Sequence, residues 1–273
     1  MNGLWRRRLW RALLSLGALA VLYGIASQIG SALLPRRIWM VAHYIDDVEL
    51  LPPYASLIEE TVFLIQSGIL PRSILVSTGR VLQGLALGAA VGVPLGLSMA
   101  RAARLECLLD PWVTFFRFTP ALALLPLYAL WFGLGELSKI LLIATAVAVV
   151  TLLGAYQGVR DVPRVYLEAA LSLGASKGLI LRKIVWPAAL PQIFASLRIA
   201  LGLAWVTVVV AELIKATMPS LGYLLALAGA YPRVPTIAVA IATIGLLVLA
   251  CDTVALGLYA VATRWMKRSP AHA

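Results

Sequence analysis

The stretch ILVSTGRVLQGLALGAAVGVPLGLSMA, residues 74–100, decides the fold class of this chain. It is longer than the about 20 apolar residues that an α-helix needs to cross a bilayer. Four of its five glycines recur at every fourth residue, at positions 84, 88, 92 and 96, so on a helix they form one smooth stripe. Such a stripe lets the backbone of a neighbouring helix approach closely. The stretch therefore predicts a membrane-spanning helix that packs tightly against another helix.

The composition agrees with a chain whose outer surface faces lipid. Of its 273 residues, 62% are hydrophobic and 13% are charged, whereas soluble domains are about half apolar and about a quarter charged. The formal net charge is +11. The arginines stand in short groups between apolar runs, without any nucleic-acid-binding motif. The preference of membrane proteins for basic cytoplasmic loops explains this surplus more simply than a nucleic-acid partner does.

Further apolar runs are long enough to span a bilayer, which predicts an all-α, polytopic membrane protein with about six transmembrane helices. The first run, residues 9–34, follows a basic start. We interpret it as a retained helix, with a cleaved signal peptide as the alternative. Another run, residues 109–132, is interrupted by Pro111, Pro120 and Pro126. The remaining runs are residues 137–156, 188–213 and 236–262.

The basic residues also orient the chain. With the N-terminus inside, the cytoplasmic side receives the N-terminal arginines, Arg101 and Arg104, the loop 160–187 and the basic tail. Five of the twelve acidic residues then fall outside, in the stretch before residue 72. Within that stretch, residues 57–65 are expected to form a short amphipathic helix. Both termini are therefore predicted to be cytoplasmic.

The loop 160–187 is the longest polar stretch on the predicted cytoplasmic side. Pro163 favours the start of a helix, and Gly174 suits the left-handed residue that ends one. Ser176 is a typical N-cap for a second helix, which Pro187 is expected to close. The loop therefore predicts two short helices joined at a glycine.

One pattern in this loop is specific in its spacing. A Glu-Ala-Ala triplet is followed after three residues by glycine, after nine more by isoleucine, and then by proline. The positions are Glu168, Ala169, Ala170, Gly174, Ile184 and Pro187. This pattern resembles the EAA loop of ABC-importer permeases, the membrane subunits of binding-protein-dependent transport systems. The departure is Trp186, because that family usually has leucine before the proline.

The resemblance implies a role for the loop and a set of partners. In that family the first helix of the loop docks in a groove of a cytoplasmic ATPase. Glu168 is expected near the start of that helix, where a negative charge favours the helix dipole. The resemblance thus assigns ATPase coupling to Glu168, Ala169, Ala170, Leu173, Gly174, Ala175, Ile184 and Pro187.

The same resemblance implies the type I ABC importer transmembrane-domain fold in a bacterial inner membrane. The implied partners are an ABC ATPase, an extracytoplasmic solute-binding protein and a second copy of the permease. Three further stretches resemble the branch of the family that transports nitrate, sulfonates, taurine and related small solutes. They are RFTPALA at 117–123, LWFGLGE at 130–136 and AEL at 211–213. The solute itself stays open.

The predicted organisation has three parts: a first helix with an external segment in residues 1–73, the permease core in residues 74–265, and a cytoplasmic tail in residues 266–273. Polar or amphipathic residues within the spans are candidates for the solute path. These candidates are Arg117, Thr119, Trp205, Thr207 and Glu212. For Glu212 and Asp252, ion pairing near a helix end is the alternative to a role in the path.

No pattern predicts catalysis, a metal site or a cofactor in this chain. A P-loop requires a Gly-Lys dipeptide, and the sequence contains none. Cys107 and Cys251 lack the spacing of a metal site. ATP hydrolysis is therefore expected in a separate subunit.

Two other classes of protein stay open as alternatives. A secondary transporter requires intramembrane coupling charges and often contains internal repeats, and no convincing repeat is present. A membrane-anchored enzyme or scaffold is disfavoured by the lack of a catalytic constellation.

Overall fold

The computed structural model describes residues 52–214 and 219–264, together with helical positions 17, 18, 21, 22 and 25. Every regular element within these residues is helical. The predicted first span, residues 9–34, lies almost wholly outside the described residues, and the predicted tail, residues 266–273, lies wholly outside them.

The helices of the described part follow one another without strands between them. In chain order they are α1 (Tyr54–Gln66), α2 (Ile69–Arg101), α3 (Ala103–Phe118), α4 (Leu125–Phe132), α5 (Glu136–Arg160), α6 (Arg164–Ser172), α7 (Lys177–Ile180), α8 (Trp186–Ile214), α9 (Leu221–Ala230) and α10 (Val234–Ala262). A 3-10 turn, Ala121–Leu124, precedes α4, and a π turn, Leu181–Val185, joins α7 to α8.

The described residues form two compact units. One comprises the described chain up to Pro71 together with Leu224–Thr243, and the other comprises Arg72–Tyr223 together with the described chain from Ile244 onward. In the first unit, the hydroxyl of Thr236 donates a hydrogen bond to Glu60 Oε1 at 2.6 Å, which ties α1 to the start of α10. The second unit contains both candidate sites described below.

Four helices of the described part are long and apolar enough to cross a membrane: Ile69–Met99, Glu136–Arg160, Lys177–Ile214 and Val234–Ala262. A fifth candidate is the pair Ala103–Phe118 and Ala121–Phe132, which is bent by 97°. The bend falls at Thr119-Pro120, where the proline ends α3 because it disfavours helical geometry in the residue before it. The apolar runs predicted within the described residues are thus confirmed as helices, one of them broken.

The glycine stripe of α2 packs against α5, as its spacing predicts. A methyl group added at Gly88 would lie 2.5 Å from the Ala144 carbonyl oxygen and 2.6 Å from Val147 Cβ. Gly84, one turn earlier, would likewise clash with the Ile143 side chain. The two backbones approach this closely only because α2 presents no side chains along the contact. Helix α5 is therefore a buried central helix, with Ile143 and Val147 fully enclosed.

The prediction that Pro187 closes a short second helix is wrong. Helix α7 runs through the π turn directly into α8, so Lys177–Ile214 is one continuous apolar helix. Proline has no amide hydrogen to donate and its ring crowds the preceding turn. A wide π turn immediately before Pro187 relieves that crowding without ending the helix. Pro191 also lies inside α8.

Candidate coupling loop and buried polar cluster

The glycine of the loop motif ends α6 in the predicted left-handed conformation. Gly174 has a φ of +78°. Its amide donates to the Leu171 carbonyl at 2.9 Å, and the next amide, of Ala175, donates to the Ala170 carbonyl at 3.0 Å. These two bonds form a Schellman motif, which satisfies the last carbonyls of a helix. The Ser176 hydroxyl then accepts the Leu179 amide at 3.3 Å and caps α7, as predicted.

The motif residues divide between an exposed side and a packed side of the loop. Ala170, at the back of α6, is buried in a cluster with Ile180 and Val185, and Ala175 and Ile184 pack against that cluster. Pro187 is half-buried at the start of α8. The motif residues on the exposed side are Glu168, Ala169, Leu173 and Gly174.

Large apolar side chains accompany Glu168 on the open side of α6. Val165 is 71% exposed, and Leu173 is 88% exposed. Tyr166 and Leu171 are also open. Glu168 itself lies in the middle of α6 rather than near its start. The prediction that its charge interacts with the helix dipole is therefore wrong. The open side of α6 is apolar around a single carboxylate, and this composition suits a protein–protein contact.

A second constellation encloses Glu212 completely, near the C-terminal end of α8. Both Glu212 carboxylate oxygens lie 2.9 Å from the donating Ser77 hydroxyl. Arg80 donates to Oε1 at 2.6 Å, and the Gly222 amide donates to Oε2 at 2.9 Å. The Leu221 amide donates in turn to Ser77 Oγ at 3.0 Å. These contacts join α2, α8 and the start of α9.

Arg80 extends this cluster to the first turn of α5. Its Nε and Nη2 donate to the two oxygens of Glu136, each at 2.5 Å. Lys139, one turn along α5 and 2% exposed, places its Nζ 3.8 Å from Glu136. Two acidic and two basic groups therefore balance one another. We call Ser77, Arg80, Lys139 and Glu212 the buried polar cluster, and we include Glu136 as its outer member, because its side chain is 56% exposed.

The five path candidates are not brought together. Arg117 is exposed, with its guanidinium carbon 4.6 Å from the centroid of the Phe118 ring, and Thr119 lies beside it at the bend, bonded to the Phe115 carbonyl. Trp205 and Thr207 are 2% and 1% exposed, and Glu212 is enclosed in the buried polar cluster. The indole nitrogen of Trp205 has no hydrogen-bond partner among the described residues.

Arg80, Ser77 and Arg198 were not predicted from the sequence as functional residues. The signal for both arginines was available, because a single cation interrupts an apolar span in each case and such charges are rare in membrane helices. The Ser77 contact was not available, since serine is common in such spans and its partner Glu212 is remote in sequence.

A sequence profile of the family described as the binding-protein-dependent transport system inner membrane component matches residues 92–268. The chain belongs to this family. A probable ABC transporter permease protein of Brucella abortus is 39% identical to the permease over 80% of this chain and 87% of that protein. The taurine transport system permease protein TauC of Escherichia coli is 34% identical over 95% of this chain and 91% of that protein.

The fold of the permease is also similar to a solved structure. A chain of the inward-facing MetNI methionine ABC transporter matches with a TM-score of 0.64 at 19% identity, over 71% of the permease and 96% of that chain. At this identity the likeness shows the fold alone, and it confirms the predicted type I ABC importer transmembrane domain. The family confirms a multi-pass inner-membrane transport subunit, with ATP hydrolysis in a separate subunit.

Proposed function

We propose that this permease moves a small solute inward through a path between two copies of itself, driven by a cytoplasmic ATPase that docks on α6. An extracytoplasmic binding protein delivers the solute. Both termini lie in the cytoplasm. The observation that carries the proposal is the loop 160–187. Some of its motif residues pack against the rest of the loop, and the others, around Glu168, are exposed.

The open front of α6 supports docking. Val165, Tyr166 and Leu171 are each more than half exposed, and Glu168 lies among them. An amphipathic helix with an apolar side left uncovered is suited to lie in a hydrophobic groove of a partner. A cytoplasmic loop gains no lipid contact for these side chains, so a protein groove is the partner that covers them.

The packed back of α6 supports transmission of movement. Ala170 packs with Ile180 and Val185, and Val159 near the end of α5 packs against the same cluster. Because α7 continues through the π turn into α8, a displacement of α6 acts directly on two long helices. Rigid packed elements with two discrete arrangements are what ATP-driven domain movement requires.

The solute class is proposed from the relatives. The similarity to the taurine permease extends over nearly all of the chain, which favours a sulfonate-, nitrate- or taurine-like small solute. Arg117 and Thr119 remain candidate path residues because Arg117 is exposed and Thr119 is only half-buried at the bend. Trp205, Thr207 and Glu212 are enclosed by the chain itself, so they line a path only if the surrounding helices separate.

The test is affinity purification of the permease in mild detergent, with its partners identified by mass spectrometry. We expect a P-loop ATPase to co-purify in a ratio near one ATPase to one permease, and uptake by reconstituted vesicles to require ATP. Recovery of the permease alone, with uptake driven by an ion gradient in the absence of ATP, would instead support a secondary transporter.

A further inference from the structure

A second charged pair lies within the membrane-spanning helices, outside the buried polar cluster. Arg198 of α8 donates from Nε to Asp252 Oδ1 at 2.8 Å and from Nη2 to Oδ2 at 2.9 Å. The middle of α8 is Ala200, two residues beyond Arg198, and the middle of α10 is Val248, four residues before Asp252. At a rise of about 1.5 Å per residue, the pair lies within about 6 Å of the centre of both helices.

This pair is open to its surroundings. The Arg198 side chain is 38% exposed and the Asp252 side chain 36% exposed, whereas Glu212 is fully enclosed. Hydrocarbon solvates neither charge, and ionisable residues at this depth face the bundle interior or a water-filled cavity. The side of α8 and α10 that carries the pair is therefore not a lipid-facing surface.

Arg198 retains donors that Asp252 does not use. A guanidinium carries five N–H donors, and two of them bond to Asp252. No other partner of this side chain occurs in the described part of the chain. The unused edge, with both Nη1 hydrogens, has the fork geometry that binds an oxyanion through two hydrogen bonds. Asp252 holds the guanidinium in a fixed orientation through its opposite edge.

There is room beside this free edge. Gly202 lies one helical turn beyond Arg198, and a methyl group added there would meet nothing within 4 Å. One turn before Arg198, Phe194 packs on Tyr259 of α10, with ring centroids 6.1 Å apart. The aromatic contact closes one end of the α8–α10 surface around the pair, and Gly202 leaves the other end open.

We propose that Arg198 is an oxyanion-binding residue of the solute path and that Asp252 positions its guanidinium. The ligand class is a small solute with a sulfonate or similar oxyanion group, and this assignment rests on the proposed transport function. Because Asp252 neutralises the pair, the attraction for an anion is moderate. A translocation site must release its ligand as well as bind it, and moderate attraction serves both steps.

The test measures whether the site is aqueous and which charge it prefers. Gly202→Cys is introduced in a Cys107→Ser, Cys251→Ser background, and the complex with its co-purified ATPase is placed in lipid nanodiscs. Two charged thiol reagents are compared, anionic sulfonatoethyl methanethiosulfonate and cationic trimethylammonioethyl methanethiosulfonate, each normalised to its rate with a free thiol. Val254→Cys is the matched control, because Val254 is 63% exposed on the opposite side of α10 at similar depth.

We expect Gly202→Cys to react with the anionic reagent about tenfold faster than with the cationic one after normalisation. Val254→Cys is expected to react with neither reagent. Adding Arg198→Gln and Asp252→Asn together removes both charges and keeps the site neutral, and the preference is then expected to disappear. With the pair intact, methanesulfonate should slow the anionic reagent, whereas tetramethylammonium at the same concentration should not.

Three results would overturn the inference. Failure of Gly202→Cys to react with either reagent would show that the site is not aqueous. Equal reactivity with both reagents, or no protection by methanesulfonate, would show that Arg198 does not bind oxyanions and only joins α8 to α10. In each case co-purification of the ATPase is scored on the same sample, so the proposed function stands or fails separately.

Discussion

Glu212 shows how single residues make a buried charge tolerable in a membrane helix. Its carboxylate accepts hydrogen bonds from Ser77, the Gly222 amide and Arg80, and the nearby Glu136 is balanced by Arg80 and Lys139. A buried ion pair is tolerable when the carboxylate oxygens also accept hydrogen bonds from other groups. A buried charge that loses its partner is strongly destabilising. The buried polar cluster therefore holds the C-terminal end of α8 and the start of α9 against α2.

Replacement of Arg80 tests this account. Arg80→Gln leaves the fully buried Glu212 without a cation, and we expect the free energy of unfolding to fall by about 3 kcal/mol. The measurement is the thermal unfolding midpoint of the purified permease in mild detergent. Arg117→Gln is the control, because Arg117 is exposed and forms no ion pair among the described residues.

The double variant Arg80→Gln, Glu212→Gln sharpens the same test. Removing both charges avoids the unpaired carboxylate, so part of the lost stability is expected to return. A midpoint for Arg80→Gln that matches that of Arg117→Gln would show that the cluster contributes nothing to stability.

At the scale of elements, α2 and α5 can pack closely because the residues of α2 at their contact are glycines, which have no side chain. Gly88→Ala places a methyl group against the Ala144 carbonyl and Val147, and overpacking of this kind costs about 1–3 kcal/mol. Gly245→Ala on α10 is the control, because a methyl group there meets nothing within 4 Å. Both changes carry the same gain in helix propensity, so their difference in unfolding midpoint isolates the clash. Equal midpoints would contradict the packing.

The turn at the end of α6 gives a second prediction at this scale. Gly174 has a φ of +78°, where an L-residue with a side chain costs about 1–2 kcal/mol. Gly174→Ala is expected to shift the turn and α6 with it, so ATPase activity coupled to transport should fall several-fold. Gly178→Ala, inside α7 with open space around it, serves as the control. Undiminished coupling in Gly174→Ala would show that the position of α6 does not depend on this turn.

The elements were predictable from sequence where local spacing carries the information. A glycine at every fourth residue predicts a close contact between helices. Gly174 predicts the end of one helix and Ser176 the start of the next. The partner of the glycine stripe was not predictable, because nothing local identifies α5. The prediction of a helix end at Pro187 was wrong because a proline usually ends a helix. The π turn that accommodates this proline has no simple sequence signature.

The candidate sites were predictable to different degrees for a similar physical reason. The loop motif lies within one short stretch, so its residues could be named before the structure was known. The buried polar cluster joins Ser77 to Glu212 and to the Leu221 amide across more than a hundred positions. Pairing over that distance depends on packing and leaves no trace in spacing.

At the scale of the whole molecule, the arrangement across the membrane is a prediction of its own. In a Cys107→Ser, Cys251→Ser background, Arg104→Cys is expected to react with an impermeant maleimide only from the cytoplasmic side. Glu59→Cys on α1 is expected to react only from the outside. Both positions are exposed, and labelling of right-side-out and inside-out vesicles distinguishes the two sides. The reverse pattern would invert the proposed topology.

The central claim is that the open side of α6 receives the ATPase, and Glu168→Lys tests it most directly. The measurement is the molar ratio of ATPase to permease after affinity purification from membranes, compared with Glu59→Lys, which makes the same charge change on α1. We predict that Glu168→Lys inserts normally and loses the ATPase, whereas Glu59→Lys retains it at the wild-type ratio. A wild-type ratio and normal ATP-driven transport in Glu168→Lys would contradict the account.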